Sequence, residues 1–314
     1  MKEKVKAYKG EIIVVSLSSA CLIISMFFLN LSGFNFESFL LADLYAITAV
    51  LLSPLFWLFI VFFVLANSLL IYLLQSKNSV ISLALCIFSV SFSLLLSFFL
   101  FAPLRKLVFL IPFYIIGLAV SGEILKTKLS ELKRFKTIRS TSAAVSKLIL
   151  LISLGLFVSG FLVVMPEKEL YAEMFEKTFV KSFIKVALNS VSDAVVEEKR
   201  ELMREILDSK EFKALESADC EESRKFSLYF RNLAQEIHSE KYRKDALKDV
   251  AETIEDEKFL EKASEHVPLK AITRGFTHFI LPFNTAFLFY VFGQIFINIP
   301  CALLSTIFIK MRWE

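Results

Sequence analysis

The sequence predicts an all-α fold: a polytopic membrane protein of about six transmembrane helices, with an extracytoplasmic helical bundle inserted between spans five and six. Three observations predict it. First, 56% of the 314 residues are hydrophobic, 34 of them Phe, and mean hydropathy is +0.61; soluble domains hold fewer apolar residues, and this excess needs an apolar solvent. Second, charge is divided along the chain. Residues 167–270 carry 25 acidic and 19 basic side chains, while the rest carries 7 acidic and 17 basic. Third, glycine is absent from Phe161 to Arg274, and proline is absent between Pro166 and Pro268. A polar segment without either breaker is built from helices rather than hairpins.

A helical span needs about 20 apolar residues. Residues 1–165 supply five: about 12–31, 44–74, 80–101, 107–122 and 148–165. The first follows a basic start but is too long for a signal peptide and lacks a small-residue cleavage site, so a retained anchor is expected. The second exceeds one straight crossing, and Ser53-Pro54 inside it suggests a tilt or a kink. The third and fourth are separated only by Ala102-Pro103, so a re-entrant hairpin is the alternative to two crossings. Residues 271–314 hold the last span, about 278–309, and a short cytoplasmic tail.

Orientation follows from the basic residues of the short loops. With the N-terminus in the cytoplasm, the cytoplasmic segments hold 14 Lys and Arg, and the opposite flanks hold only Arg105, Lys106 and Arg274. A cell-membrane protein with both termini inside and residues 166–270 outside is expected. Within that outer domain, apolar residues recur at helical spacing. Tyr171, Met174, Phe175, Phe179, Phe183 and Val186 form one stripe. Leu202, Ile206 and Leu207 follow. Phe226, Tyr229, Phe230, Leu233 and Ile237 form another, and Ala246, Leu247, Val250 and Ile254 a third. Polar breaks near Asp208-Ser209, Ser217-Asp219 and Ser239-Glu240 divide four or five amphipathic helices. So small a bundle is expected to lean on the membrane, a protein partner or a second copy.

Motifs for chemistry are missing. The three histidines, His238, His266 and His278, stand outside any metal-ligand spacing. Eight glycines form no phosphate loop. Cys21, Cys86 and Cys301 lie in apolar runs and read as small hydrophobes, and Cys220 is alone in the polar domain. No span has a charge near its middle, against a proton-coupled carrier. Glu197-Glu198 with Arg200, and Glu221-Glu222 with Arg224, read as solvated helix faces with local ion pairs. No catalytic residue, cofactor or metal is expected.

Three features remain. The loop between spans four and five carries Lys126, Lys128, Lys133, Arg134, Lys136, Arg139 and Lys147 against a lone Glu131. With Leu129, Leu132, Phe135 and Ile138 interleaved, it suits anionic lipid headgroups at the cytoplasmic face, at about 1 kcal/mol per basic residue; nucleic acid is not expected, for want of an aromatic stacking set. In the third span Ser82, Cys86, Ser89, Ser93 and Ser97 share one face, for close helix packing or, less favoured, a hydroxyl-lined wall. In the last span Asn284, Gln294 and Asn298 fall on one helical arc between Pro282 and Pro300. Unpaired carboxamides in lipid cost several kcal/mol each by transfer estimates, on the order of 2–7. That arc is therefore expected to face protein or water: either interhelical bonding or a binding surface lining a path. Two functions follow: a non-enzymatic scaffold or interaction protein with an outward helical domain, or a channel or transporter for a small solute with the last span lining the path.

Overall fold

A computed structural model describes residues 2–75, 79–131, 135–217, 221–242, 244–245 and 269–311. Among them there are helices and turns and no strand. Six helices are long and apolar enough to cross a membrane. The chain divides into two compact units, residues 1–175 with 272–314, and residues 176–271.

The first unit is the apolar bundle. Helix α1 (Lys2–Leu31) leads into a short α2 (Phe36–Leu40) and α3 (Leu44–Leu52). Asn35 caps α2 through the Glu37 amide, and Asp43 caps α3 through the amides of Tyr45 and Ala46 at 3.0 and 3.2 Å. The second span then begins at Pro54. Residues 44–74 are not one kinked rod: Ser53 is extended (φ −69°, ψ 127°) and Pro54 opens a new helix, α4 (Pro54–Leu74). The proline ring forces its predecessor out of the helical region, and its missing N–H costs nothing at a first helical position. The Trp57 indole N–H bridges the break by donating to the Leu51 carbonyl at 3.0 Å.

Helices α5 (Ser79–Leu100) and α6 (Leu110–Glu131) are two full-length helices joined by a 3-10 turn over Ala102–Leu107. Helix α7 (Lys136–Val164) follows, and α8 (Lys168–Asp208) carries the chain from the first unit into the second. The last span is α11 (Leu269–Gly293), a π turn over Gln294–Asn298, and α12 (Ile299–Met311).

Helix α4 is the central post: it packs against α1, α5, α6, α7 and α12. Thirteen of its residues are buried, Phe63, Leu70 and Ile71 among them, while Trp57, Leu58 and Val61 leave one face of its first half exposed. The outer helices turn large apolar side chains outward, such as Ile13, Phe88, Phe92, Phe99 and Ile299, as helices that cross hydrocarbon do. Between them, small residues let backbones approach. The serines foreseen on α5 meet α1: Ser19 and Ser89 share a hydrogen bond of 2.7 Å, and Ser93 reaches the Ser19 carbonyl at 3.3 Å.

The second unit is described over the rest of α8, α9 (Lys210–Ser217) and α10 (Glu221–His238). The first and last breaks have a common cause. Ser209 and Ser239 each donate back to a carbonyl three residues earlier and accept from an amide three residues later, ending one helix and starting the next. Met203, Ala234 and Ile237 form the core here. Arg200 does more than pair with Glu197 at 3.3 Å: its guanidinium also donates to the carbonyls of Ile237 and His238, capping the C-terminus of α10. The stripe expected at Ala246–Ile254 lies outside the described residues, as do Cys220 and His266.

Candidate functional site: the polar seams of the bundle

Besides the α1–α5 serine contact, two seams of polar side chains inside the bundle involve the last span. The first seam faces α4. Its central residues, Asn67 and Ser68, are the only carboxamide and the only hydroxyl of the serine or threonine kind in α4, and both are fully buried. The Tyr114 hydroxyl on α6 donates to Asn67 Oδ1 at 2.6 Å, and Asn67 Nδ2 donates to the Phe63 carbonyl at 2.8 Å. Ser68 Oγ donates to the Val64 carbonyl at 2.7 Å and stands 3.4 Å from both the carbonyl and the thiol of Cys301. Ser305 returns the contact to the Ser68 carbonyl at 3.4 Å.

The second seam faces α7 and takes in the carboxamides of the last span. Ser142 donates to Asn298 Oδ1 at 3.2 Å, Asn298 Nδ2 donates to Gln294 Oε1 at 2.9 Å, and Gln294 Nε2 donates to the Ser146 carbonyl at 3.4 Å. About two turns further along the last span, Thr141 and Thr306 stand 3.4 Å apart. Gln294 and Asn298 therefore meet each other and α7.

Asn284 does not join them. It is exposed, and its neighbour Thr285 donates to the carbonyl of Phe39 in α2, so Asn284 lies level with the connecting segments at the bundle's end. Even at a uniform 100° step Asn284 stands about 80° round from Gln294, and ten residues set it about 15 Å away along the axis. Beyond it the helix changes: Pro300 offers no N–H to the carbonyl four residues back, and the chain widens into the π turn just ahead of that proline.

The basic hairpin is the other feature the sequence marked. Lys126 and Lys128 are exposed near the end of α6, where cations suit the helix dipole, and Lys128 pairs with Glu131 at 2.7 Å. Lys136 and Arg139 are exposed in the first turn of α7. Phe135 opens that helix with φ 49°, a left-handed conformation uncommon for a bulky residue, and its ring is 79% exposed. Lys133 and Arg134 lie outside the described residues.

At the bundle's opposite end Glu37 of α2 pairs with Lys106 of the 3-10 turn and accepts the Tyr171 hydroxyl of α8 at 3.0 Å. The hydrogen bond from Lys106 leads in lowering the carboxyl's pKa below its ordinary value; partial burial opposes it, and Tyr171 adds to the lowering.

Chemically, the seams are neutral hydroxyls, carboxamides and thiols whose hydrogen bonds end on each other or on helix carbonyls. Among the described residues, no group of three His, Cys, Asp or Glu side chains stands close enough to hold a metal. The arrangement can lock helices in register. The residues sequence reasoning passed over are Asn67 and Tyr114; a carboxamide two-thirds of the way along an otherwise apolar span was the available signal.

The class this fold defines is the all-helical, multi-pass membrane protein. Beyond that class the comparisons add nothing: no family model, no curated protein and no solved structure gives a match to the chain.

Proposed function

We propose that this protein is a non-enzymatic scaffold or interaction protein of the cell membrane. The bundle is its anchor, and the helical domain after span five meets a partner or a second copy outside the cell. The observation that supports the reading best is the closure of the seams. Gln294 and Asn298, the pair best suited to line a path, bond to each other and to α7. The second unit, by contrast, exposes Phe226, Leu228 and Tyr229 of α10. The orientation rests on the excess of Lys and Arg in the segments taken as cytoplasmic, and the basic hairpin adds attraction to anionic headgroups on that side.

The test is a photo-crosslinking amino acid at Tyr229 in native membranes. A discrete adduct is expected, as is labelling of Tyr229→Cys by an impermeant maleimide added outside. Absence of any adduct, or labelling from the cytoplasmic side alone, counts against the reading. The competing function, a small-solute channel or transporter, draws on the π turn, a feature often found at functional sites. It predicts flux in liposomes that Asn298→Leu reduces. The interaction reading predicts no flux above that of empty liposomes for either protein.

A further inference from the structure

Glu11 places a carboxylate inside the bundle. It lies at the start of the apolar part of α1, is 9% exposed, and continues the buried stripe of Val15, Ser18 and Leu22. Two contacts further along show where that stripe points. Ser18 donates to the Ala66 carbonyl of α4 at 3.3 Å, and Ser19 bonds to Ser89 of α5. Glu11 is seven residues before Ser18, hence about 20° round the helix from it on the Ser19 side, at 100° per residue. It points between α4 and α5.

Helix α5 answers from the other side. It runs in the same direction as α1, since Ser19 meets Ser89 and, further along both, Phe27 meets Phe101 at 6.1 Å between ring centres. Ser82 is seven residues before Ser89, and Glu11 is eight before Ser19. The two are therefore within about 2 Å of one level at 1.5 Å per residue. Around α5, Ser82 falls between Ser89, which faces α1, and Cys86, whose thiol faces the Leu70 carbonyl of α4 at 3.8 Å. Ser82 thus enters the same wedge between three helices. The Glu11 charge acts on the Cys86 thiol, one turn away from Ser82, which agrees with this placement.

Ser82 is fully buried, and its Oγ has no hydrogen-bond partner. Ser89, Ser93 and Ser97 on the same face are all bonded. A buried hydroxyl left unmet is unfavourable. At this level Leu70–Gln75 of α4 and Ser79–Cys86 of α5 carry no charged residue. Lys9 falls about 200° round α1 from Glu11, and Lys77 lies outside the described residues. Glu11 takes part in other interactions as well; the two oxygens of a carboxylate, with about four acceptor positions, leave room for them.

We propose that the wedge between α1, α4 and α5 binds one alkali cation, with the Glu11 carboxylate and Ser82 Oγ as two of its ligands. Chemistry selects the class of occupant. Both donors are oxygens, which suit hard cations rather than thiophilic metals. A single carboxylate among neutral groups balances one positive charge. Helices close enough for Ser19 and Ser89 to bond at 2.7 Å favour a small ion over an organic cation. The site belongs to the bundle and would stand whether or not the second unit meets a partner.

Thermal unfolding of the full-length protein in micelles of an uncharged detergent tests this, at one ionic strength made up with choline chloride. Sodium or potassium replacing choline is expected to raise the melting temperature saturably, as a ligand of the folded state does. Glu11→Gln, close in shape, should abolish the dependence. Ser82→Ala should raise the half-saturating concentration about tenfold. Ser97→Ala, on the same face but bonded within its own helix, should respond as wild type does. So should Lys77→Met; a response seen only in Lys77→Met means that this ammonium holds the carboxylate, and overturns the proposal. Equal melting in all three salts, or an undiminished response in Glu11→Gln, overturns it as well.

Discussion

Gly155 of α7 tests the idea that the bundle is held by close backbone approach. A Cβ built on it would lie 2.9 Å from Cβ of Phe113, 3.2 Å from the backbone Cα of Leu110 and 3.3 Å from Cγ of Phe113. Those atoms belong to the body of α6 and cannot swing aside as a side-chain tip can. Gly122 of α6 is the control: the nearest atom to its Cβ is Leu74 Cδ2 at 3.5 Å, an ordinary contact with a mobile methyl. Both glycines are mid-helix, so Ala brings each the same gain of about 1 kcal/mol in helix propensity. Overpacking costs about 1–3 kcal/mol, and only Gly155→Ala incurs it. Gly122→Ala should therefore be stabilised by up to about 1 kcal/mol. Gly155→Ala should fall below it by about 1–3 kcal/mol, near wild type at best and about 2 kcal/mol less stable at worst. Reversible unfolding in mixed micelles with rising dodecyl sulfate, followed by circular dichroism, measures the gap. If Gly155→Ala matches or exceeds Gly122→Ala, the α6–α7 contact is looser than described and the reasoning fails.

Tyr114→Phe strands the Oδ1 of buried Asn67 and should cost about 1–3 kcal/mol; Tyr114→Phe with Asn67→Leu should recover much of it, and additive losses in the same unfolding assay would contradict the pairing. Asn298→Leu removes bonds averaging under about 1 kcal/mol each, so its midpoint should move less than that of Tyr114→Phe. The lowered pKa of Glu37 gives a signed pH dependence. A depressed carboxyl stabilises the fold above its ordinary value of 4.5 and loses that contribution as pH falls through the folded value below it. Melting temperature followed from pH 7 downward should therefore drop more steeply for wild type than for Glu37→Gln; identical profiles would dismiss the Lys106–Glu37–Tyr171 contact as a stabilising one. Arg200→Met should destabilise the end of α10, seen as faster amide exchange at Ile237 and His238, and unchanged exchange there would remove the capping role.

The spans were legible because apolar length is a direct readout of hydrocarbon thickness. What the hydropathy could not give was which helix lies at the centre. All the spans are apolar, and a lipid-facing leucine reads like a buried one. Only the position of Asn67 and Ser68 hinted that α4 lies at the centre, because a carboxamide and a hydroxyl there need protein on their face. Ser53-Pro54 marked a break inside Leu44–Leu74, but the sequence left open a tilt or a kink where the proline in fact opens a separate helix. The carboxamide arc was half legible. Gln294 and Asn298 are four residues apart, and a local rule holds over one turn. Asn284 is ten residues further back, about 15 Å along the axis, a distance that an arc read as angle alone leaves out.

The π turn at Gln294–Asn298 has a consequence for length variation in this helix. Such a turn is one residue more than a regular helix needs for the same path, so the segments on either side are already aligned as if that residue were absent. Deleting Pro300 alone would remove the block to regular hydrogen bonding and take out the surplus residue together. Cys301 would stay opposite Ser68 and Thr306 opposite Thr141. A single deletion away from the turn would instead turn one half of the span about 100° against the other and part both seams. Shortening by one residue, normally the most disruptive edit to a packed helix, is thus expected to be tolerated at this one place.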